Sequence, residues 1–232
     1  MRRTGFVLML VGLVLQGAAQ SGTTTMHVRF TPTFNNGPLQ LHHAERLADG
    51  TPVSVDRLRF YVSHIALHSQ DRTSFIDTAC HLIDAEAPSA LEVSLTVPRG
   101  IHVDSISFLL GIDSLTNVSG AFGGDLDPTK GMYWAWNSGY INWKLEGACA
   151  KCNTTKNAFE FHLGGYLPPF FNAQRIGFAV PSKGAIVINV DVAVFLEQAK
   201  LGERCAIMSP GKNAVELTRL AASVFNTLGR DQ

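Results

Sequence analysis

The chain has 232 residues, with 19 Lys and Arg against 19 Asp and Glu, and 46% of its residues are hydrophobic. Charged residues make up only 16%, which excludes an intrinsically disordered protein. Zero formal net charge argues against nucleic-acid binding, because a phosphate-binding surface needs an excess of Lys and Arg.

The N-terminal residues 1–20 have the pattern of a secretory signal peptide. Two arginines precede an apolar run at residues 6–15, which is shorter than the roughly 20 residues of a membrane span. Small residues suited to cleavage follow at 17–19. An uncleaved anchor is the alternative. We predict a signal peptide over residues 1–19 and an exported mature chain, periplasmic or secreted, that begins near Gln20 and has no membrane span.

Most of the remaining chain alternates between apolar and polar residues with period two, which predicts strands that are half buried. Turn residues such as Asn35-Asn36-Gly37 separate the runs. The predicted strands cover residues 26–34, 55–67, 91–97, 102–112, 140–145, 159–163 and 185–196. This succession, without intervening helices, predicts an all-β fold: an antiparallel β-sandwich or a barrel-like sandwich.

One short C-terminal helix is predicted over residues 213–227, where apolar residues recur at helical spacing after Ser209-Pro210-Gly211. No repeat, low-complexity tract or long linker divides the mature chain. Residues 20–232 are therefore predicted to form a single β domain.

Four cysteines remain after export, and an even number outside the cytoplasm is typical of disulfides. Three pairings are possible, and we favour Cys149–Cys152 with Cys80–Cys205. A zinc site is the alternative, but one CxxC without a second pair or a spaced His is weak support for zinc.

Generic catalytic motifs such as GxSxG, HExxH and the P-loop are absent, so we do not predict an enzyme. The segment 125–147 contains all three tryptophans, and Trp134 and Trp136 are two residues apart. The simplest interpretation is an aromatic core cluster around a turn. Asp113, Asp125 and Asp127 suggest a calcium site, but their spacing lacks the EF-hand order.

Five segments together resemble one known family. They are LRFYVSHIAL (58–67), LIDAE (82–86), LGIDSLTN (110–117), DPTKGMYWAWNSGYINWKLEG (127–147) and FHLGG (161–165). With these residues the chain resembles the MbnP-like family of bacterial periplasmic copper-binding proteins over nearly the whole mature chain.

The resemblance implies a mononuclear Cu(I) site made of two histidines near a tryptophan that is oxidised to kynurenine. Carried over to this chain, it implicates His64 and His162, with Trp136 as the modified residue and Trp134 as the alternative. It also implies a dihaem peroxidase-like partner that oxidises the tryptophan. The family's role would then be copper acquisition, storage or delivery.

The strand pattern creates a difficulty for this pair of histidines. Alternation places Phe159, Phe161 and Leu163 toward the core and His162 on the opposite face, whereas His64 shares its parity with apolar neighbours. The two can meet only at a sheet edge or across a bulge.

Imidazole is a competent copper ligand, which is the argument for a histidine site. Three other histidines are considered as alternative ligands: His27, His42 and His43. The rival hypothesis is a β-sandwich interaction or scaffold module that binds no metal, in which the histidines are incidental.

Overall fold

Two β-sheets that pack face to face form the fold in the computed structural model, which describes residues 22–70, 72–181 and 185–227. The strands are β1 Thr23–Phe34, β2 Gly37–Pro38, β3 Ala44–Arg46, β4 Pro52–Ser69, β5 Arg72–Asp84, β6 Glu92–Pro98, β7 Ser105–Leu110, β8 Tyr133–Trp134, β9 Gly139–Cys149, β10 Ala158–Gly164, β11 Gln174–Ala179, β12 Ile186–Asp191, β13 Ala206–Ile207 and β14 Phe225–Thr227. The helices are α1 Ser114–Val118, α2 Val192–Gln198 and α3 Lys212–Ser223.

The smaller sheet has five strands and is centred on β1. Its order is β14-β12-β1-β2, and β6 also pairs with β1. The β1–β12 pairing is parallel, with Val28 opposite Ile186, whereas β6 runs antiparallel to β1.

The larger sheet has nine strands, and the 18-residue strand β4 lies at its centre. On one side β4 pairs with β9 along its first half and with β7 along its second half. On the other side it pairs with β3 and then with β5. Strands β11, β10 and β13 extend the sheet beyond β7 and β9. Strand β4 is therefore the element against which the neighbouring strands are aligned.

The core between the sheets is dominated by aromatic side chains. Phe30 of the smaller sheet contacts Phe60 and Phe108 of the larger sheet edge to face, with 5.7 Å between ring centroids in both pairs. Trp143 stacks on Phe60 at 5.3 Å and also packs against Phe195 of α2. These rings are fully or almost fully buried, so they contribute much of the apolar burial that stabilises the sandwich.

The predicted all-β sandwich class is confirmed, but the pairing is mixed and not purely antiparallel. Besides β1–β12, the short strand β13 also runs parallel to β10. The predicted strand 185–196 is wrong in its second half, where the chain forms α2. Asp191 ends β12 and caps this helix by accepting a hydrogen bond from the Val194 backbone amide at 3.1 Å.

The C-terminal helix is confirmed as α3, which ends at Ser223 before the short strand β14. Strand β5 was missed because its sequence, RTSFIDTACHLID, is largely exposed and lacks a clean period-two pattern. In the described residues, no helix has the length and hydropathy needed to cross a bilayer. The predicted signal peptide, residues 1–19, lies outside the described residues.

The disulfide connectivity differs from the predicted one. Cys152 is bonded to Cys205 with a Cα–Cα distance of 5.8 Å, and Cys80 and Cys149 are free thiols. Cys80 lies on β5 and Cys205 precedes β13, so strands β4, β9 and β10 separate them. At about 4.8 Å between neighbouring strands, this gap greatly exceeds the reach of a disulfide. The zinc alternative for the CxxC is also wrong, because Cys152 is already bonded.

This connectivity predicts the outcome of alkylation under non-reducing, denaturing conditions. Cys80 and Cys149 should be labelled before reduction, and Cys152 and Cys205 only after it, as read by peptide mass mapping. Replacing Cys205 with Ser should lower the free energy of unfolding by up to about 4 kcal/mol, because the bond closes a loop of 53 residues. Detection of a disulfide between Cys149 and Cys152 in a peptide from the native protein would contradict this assignment.

Candidate functional site

The predicted ligands lie on the face of the larger sheet that points away from the smaller sheet, here called the outer face. Along the middle of β4, Leu58, Phe60 and Val62 belong to the main core, whereas Arg59 and Tyr61 project from the outer face. The polar and aromatic side chains of the outer face form two adjoining groups, one ionic and one aromatic.

The ionic group surrounds the carboxylate of Glu146 on β9. Its Oε1 lies 2.6 Å from His162 Nε2 and 3.3 Å from Lys144 Nζ, and its Oε2 accepts a hydrogen bond from Arg57 at 2.7 Å. The hydrogen bond from His162, opposed by burial and supported by the charges of Lys144 and Arg57, lowers the pKa of Glu146 to about 2. Glu146 is therefore a stable anion at neutral pH, held by three partners.

His162 occupies the face that alternation predicted, with Phe159, Phe161 and Leu163 in the core. It is nevertheless only 7% exposed, and its Nε2 is engaged by Glu146. This geometry is that of a histidine tied to a neighbouring strand.

His64 lies in a β-bulge near the centre of the long strand. The register of β4 with β5 shifts between Ser63 and Ile65, and His64 adopts a left-handed φ of 51°. Inside a strand this conformation interrupts the pleat, and bulges of this kind occur more often than average next to active sites. The ring is partly exposed, and its Nδ1 lies 3.3 Å from the Ser63 hydroxyl.

The structure does not bring His64 and His162 together. His162 pairs with Lys144, which pairs with Arg59, so His162 is level with Arg59, five positions before His64 on β4. Strand β9 also lies between them. At about 3.3 Å per residue and 4.8 Å per strand, their Cα atoms are more than roughly 15 Å apart. As placed in this structure, the two side chains are therefore not brought together around one ion, because each nitrogen would have to lie about 2 Å from the metal.

The aromatic group, here called the second apolar cluster, is formed by Tyr61, Leu82, Ile112, Met132, Trp134, Tyr140 and Ile141. Trp134 is 6% exposed and lies against Gly164, where a Cβ would approach its ring to 2.8 Å. Trp136 packs against Trp134 at 5.7 Å between ring centroids but is itself 66% exposed. The two tryptophans of the WAWN segment thus differ sharply in access to solvent.

Cys80 lies at the border between this cluster and His64. It pairs with Ser63 across the β4–β5 ladder and packs against the second apolar cluster. Burial, together with the negative charges of Asp113, Asp77 and Asp125, raises the pKa of the Cys80 thiol to about 11. Asp113 also lies near His64: burial acts to raise the pKa of this carboxyl, but hydrogen bonds from Thr116 and the nearby His64 lower it.

The three aspartates considered for calcium have separate structural roles. Asp113 caps α1 by accepting from the Thr116 amide at 2.9 Å, and Asp127 accepts from the Thr129 amide at 2.8 Å. Asp125 pairs with Lys130 at 2.7 Å. Among the residues that the structure describes, no group of three or more His, Cys, Asp or Glu side chains converges on one point. The calcium alternative therefore has no geometric support.

Most of the other histidines are held in local pairs. Four of them lie within 3.9 Å of a carboxylate: His27 with Glu92, His42 with Asp56, His43 with Glu45 and His81 with Asp77. His68 is hydrogen-bonded to Ser107 at 2.8 Å. The alternative ligands His27, His42 and His43 thus lie apart from the outer-face site, in exposed positions beside carboxylates.

Two buried asparagines that sequence analysis did not single out connect the motifs of the outer face. Asn117 of α1 accepts from the Tyr140 amide at 2.9 Å, and Asn142 of β9 accepts from the Ile112 amide at 3.0 Å. Both asparagines lie within segments that carry the family resemblance, LGIDSLTN and WNSGYIN. A polar residue among apolar neighbours in these segments was the sequence feature that could have indicated a buried structural role.

The same segments carry the likeness to known proteins. The sequence profile of the MbnP family matches residues 23–210, which is more than half of the chain. The chain belongs to the MbnP family. Comparison with curated proteins by sequence gave no match.

Among solved structures, MbnP from Methylosinus trichosporium is similar to this chain with a TM-score of 0.55 and 13% sequence identity. The alignment covers 82% of each chain. At this identity the likeness establishes a shared fold. The family match ends at residue 210, so α3 and β14 lie beyond it in this MbnP-family chain.

The ionic group yields a pH-dependent prediction for this member of the MbnP family. Because the pKa of Glu146 is lowered from 4.5 to about 2, its pairing stabilises the fold above pH 4.5, and this contribution is lost as the pH falls from 4.5 toward 2. Glu146→Gln should lower the free energy of unfolding at pH 7 by about 2 kcal/mol. The difference from the unsubstituted protein should shrink across that acidic range, as measured by urea unfolding. A difference that stays constant down to pH 2 would contradict this role.

Proposed function

We propose that this MbnP-family chain is an exported copper-binding protein and that His64 is its imidazole ligand. It acts in copper acquisition, storage or delivery and has no catalytic turnover of its own. The observation that carries the proposal is the left-handed conformation of His64 in the bulge of β4, beside the second apolar cluster.

The surroundings of His64 suit a metal ligand better than those of His162. The ring of His64 is partly exposed and has only a long contact with the Ser63 hydroxyl, so its nitrogens remain available. The Nε2 of His162 is engaged by Glu146. A ligand must offer an unprotonated nitrogen lone pair, which a ring committed to an ion pair provides less readily.

Cys80 is the second donor that we propose in place of His162. Its thiol is free, and Cys80 pairs on the adjacent strand with Ser63, the residue before His64. Cu(I) accepts low coordination and prefers soft sulfur together with imidazole nitrogen. Bound there, copper would supply a soft, low-coordinate redox centre, while the protein chain would hold its two ligands on neighbouring strands.

Trp136 remains the residue that we propose as the site of oxidation to kynurenine. Its exposure supports this choice over the buried Trp134, because a separate dihaem peroxidase-like partner must reach the ring from outside. Export by the segment at residues 1–19 belongs to the same proposal, since such a partner would act in the periplasm.

Copper binding can be tested by competition with a chromophoric Cu(I) chelator under anaerobic, reducing conditions. His64→Ala and Cys80→Ser should each weaken Cu(I) binding by at least about tenfold, because each removes one of two donors. His162→Gln keeps a hydrogen-bond donor toward Glu146 and should change the affinity less than about twofold.

His42→Ala serves as a surface control, and circular dichroism should show that every variant keeps the fold. Equal losses in the His64 and His162 variants would overturn the assignment of ligands. Unchanged Cu(I) affinity in both the His64 and Cys80 variants would show that the copper site does not lie on the outer face. Absence of copper from the natively exported protein would favour the interaction or scaffold module.

The tryptophan proposal is tested by peptide mass spectrometry of protein purified from its own periplasm. The peptide that contains Trp136 should gain one oxygen and lose one carbon, whereas Trp134 and Trp143 should stay intact, because these two rings are buried. Trp136→Phe should abolish the change, and Trp134→Phe should preserve it. Protein produced without the haem partner should be unmodified. Modification of Trp134 alone would show that solvent access does not select the ring.

A further inference from the structure

Three loops gather at one end of the sandwich, at the edge of the second apolar cluster. The loop that contains α1 meets the loop after β10 through a hydrogen bond from Ser114 Oγ to the Tyr166 carbonyl at 2.8 Å. It meets the start of β9, directly after the turn that contains Trp136, through Asn117, which accepts from the Tyr140 amide. The Phe122 amide donates to the Tyr140 hydroxyl at 3.1 Å. The three loops therefore form one continuous surface.

This surface exposes most of the large apolar side chains that the described residues leave open to solvent. Of nine such side chains, seven lie on the three loops, and two, Ile76 and Met208, lie elsewhere. The seven form what we call the end patch: Leu115 (75% exposed), Val118 (58%), Phe122 (44%), Trp136 (66%), Leu167 (57%), Phe170 (39%) and Phe171 (42%). Single exposed apolar residues are ordinary, but a contiguous group of this size marks an interaction site.

The stretches of chain that carry the end patch contain no charged residue; Asp113, Asp125, Asp127 and Lys130 lie just outside them. The sequence has no Asp, Glu, Lys or Arg in residues 114–124, 132–143 or 163–174. Depletion of charge together with enrichment in aromatic residues distinguishes the buried core of a protein interface from ordinary surface. Its lack of basic residues argues against a lipid surface, because peripheral membrane binding combines inserted aromatic residues with Lys and Arg.

The area of the end patch matches that of a stable protein interface. Aromatic side chains present roughly 150–250 Å² each when fully exposed, so the four aromatic residues at their observed exposures contribute about 300–450 Å². With the three aliphatic side chains the end patch offers roughly 600–800 Å². A standard interface buries about 800 Å² on each partner.

We propose that the end patch is the interface of a twofold homodimer, so that the haem partner of the proposed function reaches Trp136 only in the monomer. A twofold axis places the same surface on both copies, so an uncharged patch can meet itself without like-charge repulsion. Beside Phe170, helix α3 presents Lys212, Glu216 and Arg219 around a recess of about 460 Å³. These side chains of both signs form a polar rim that can pair across the axis.

The proposal is tested by sedimentation velocity on the full mature protein, produced without the haem partner so that Trp136 is intact, from about 1 to about 200 µM, a range that brackets micromolar affinities. The protein should pass from monomer to dimer within this range. The emission of exposed Trp136 should shift to the blue in parallel, because dimer formation removes its ring from water. The double substitution Leu115→Ser and Leu167→Ser should abolish both changes.

The matched control is Ile76→Ser, which replaces an equally exposed apolar residue outside the end patch and should dimerise like the unsubstituted protein. Both substituted leucines are more than half exposed, so the double variant should keep its fold by circular dichroism. A monomer at every concentration would overturn the proposal, as would a dimer that survives the double substitution. Co-sedimentation of the monomer with phosphatidylcholine vesicles would identify the end patch as a membrane contact instead.

Discussion

The length and pairing of β4 form the constraint on which the rest of the structure depends. On one side this strand changes partner from β9 to β7 near its middle, so the larger sheet forks there. The fork is filled by Asn142, whose side chain satisfies the Ile112 amide as the chain leaves β7. Gly111 is required beside it, because its φ is +110° and a Cβ would come within 2.5 Å of Asn142. One strand thus fixes both where His64 projects and where the loops of the end patch begin.

The two faces of the larger sheet are stabilised by different interactions. Its inner face is apolar and is stabilised by burial against Phe30 of the smaller sheet. Its outer face carries partly buried charges, which are tolerated because they are paired. Glu146 illustrates this, since His162, Lys144 and Arg57 all approach its oxygens. His162 stabilises a carboxylate in this way, whereas His64, in the bulge of β4, makes only a long contact with the Ser63 hydroxyl.

Alternation of residues predicted the strands, the sandwich class and the face occupied by His162, because each follows from the fixed geometry of a pleated strand. It failed where the backbone departs from that geometry. A bulge at His64 changes the parity of β4, and nothing in VSHIAL marks the extra residue. Helix α2 could not be recognised from alternation, because residues 187–195 (VINVDVAVF) keep the apolar–polar pattern of a strand although Asp191 caps a helix that begins at Val192. The distance between His64 and His162, like the pairing of Cys152 with Cys205, depends on strand order, which local sequence does not encode.

The parallel pairing of β1 with β12 has a consequence for how the chain acquires its fold. Val28 pairs with Ile186, so the smaller sheet joins residues separated by most of the polypeptide. Contacts of such high sequence separation form slowly, because a long loop must close before any pairing can stabilise it. During synthesis β6 can pair with β1 early, but the side of β1 that pairs with β12 stays open until β12 has left the ribosome. The smaller sheet is therefore completed only after most of the chain has been synthesised, whereas β4 meets its partners β5, β7 and β9 earlier.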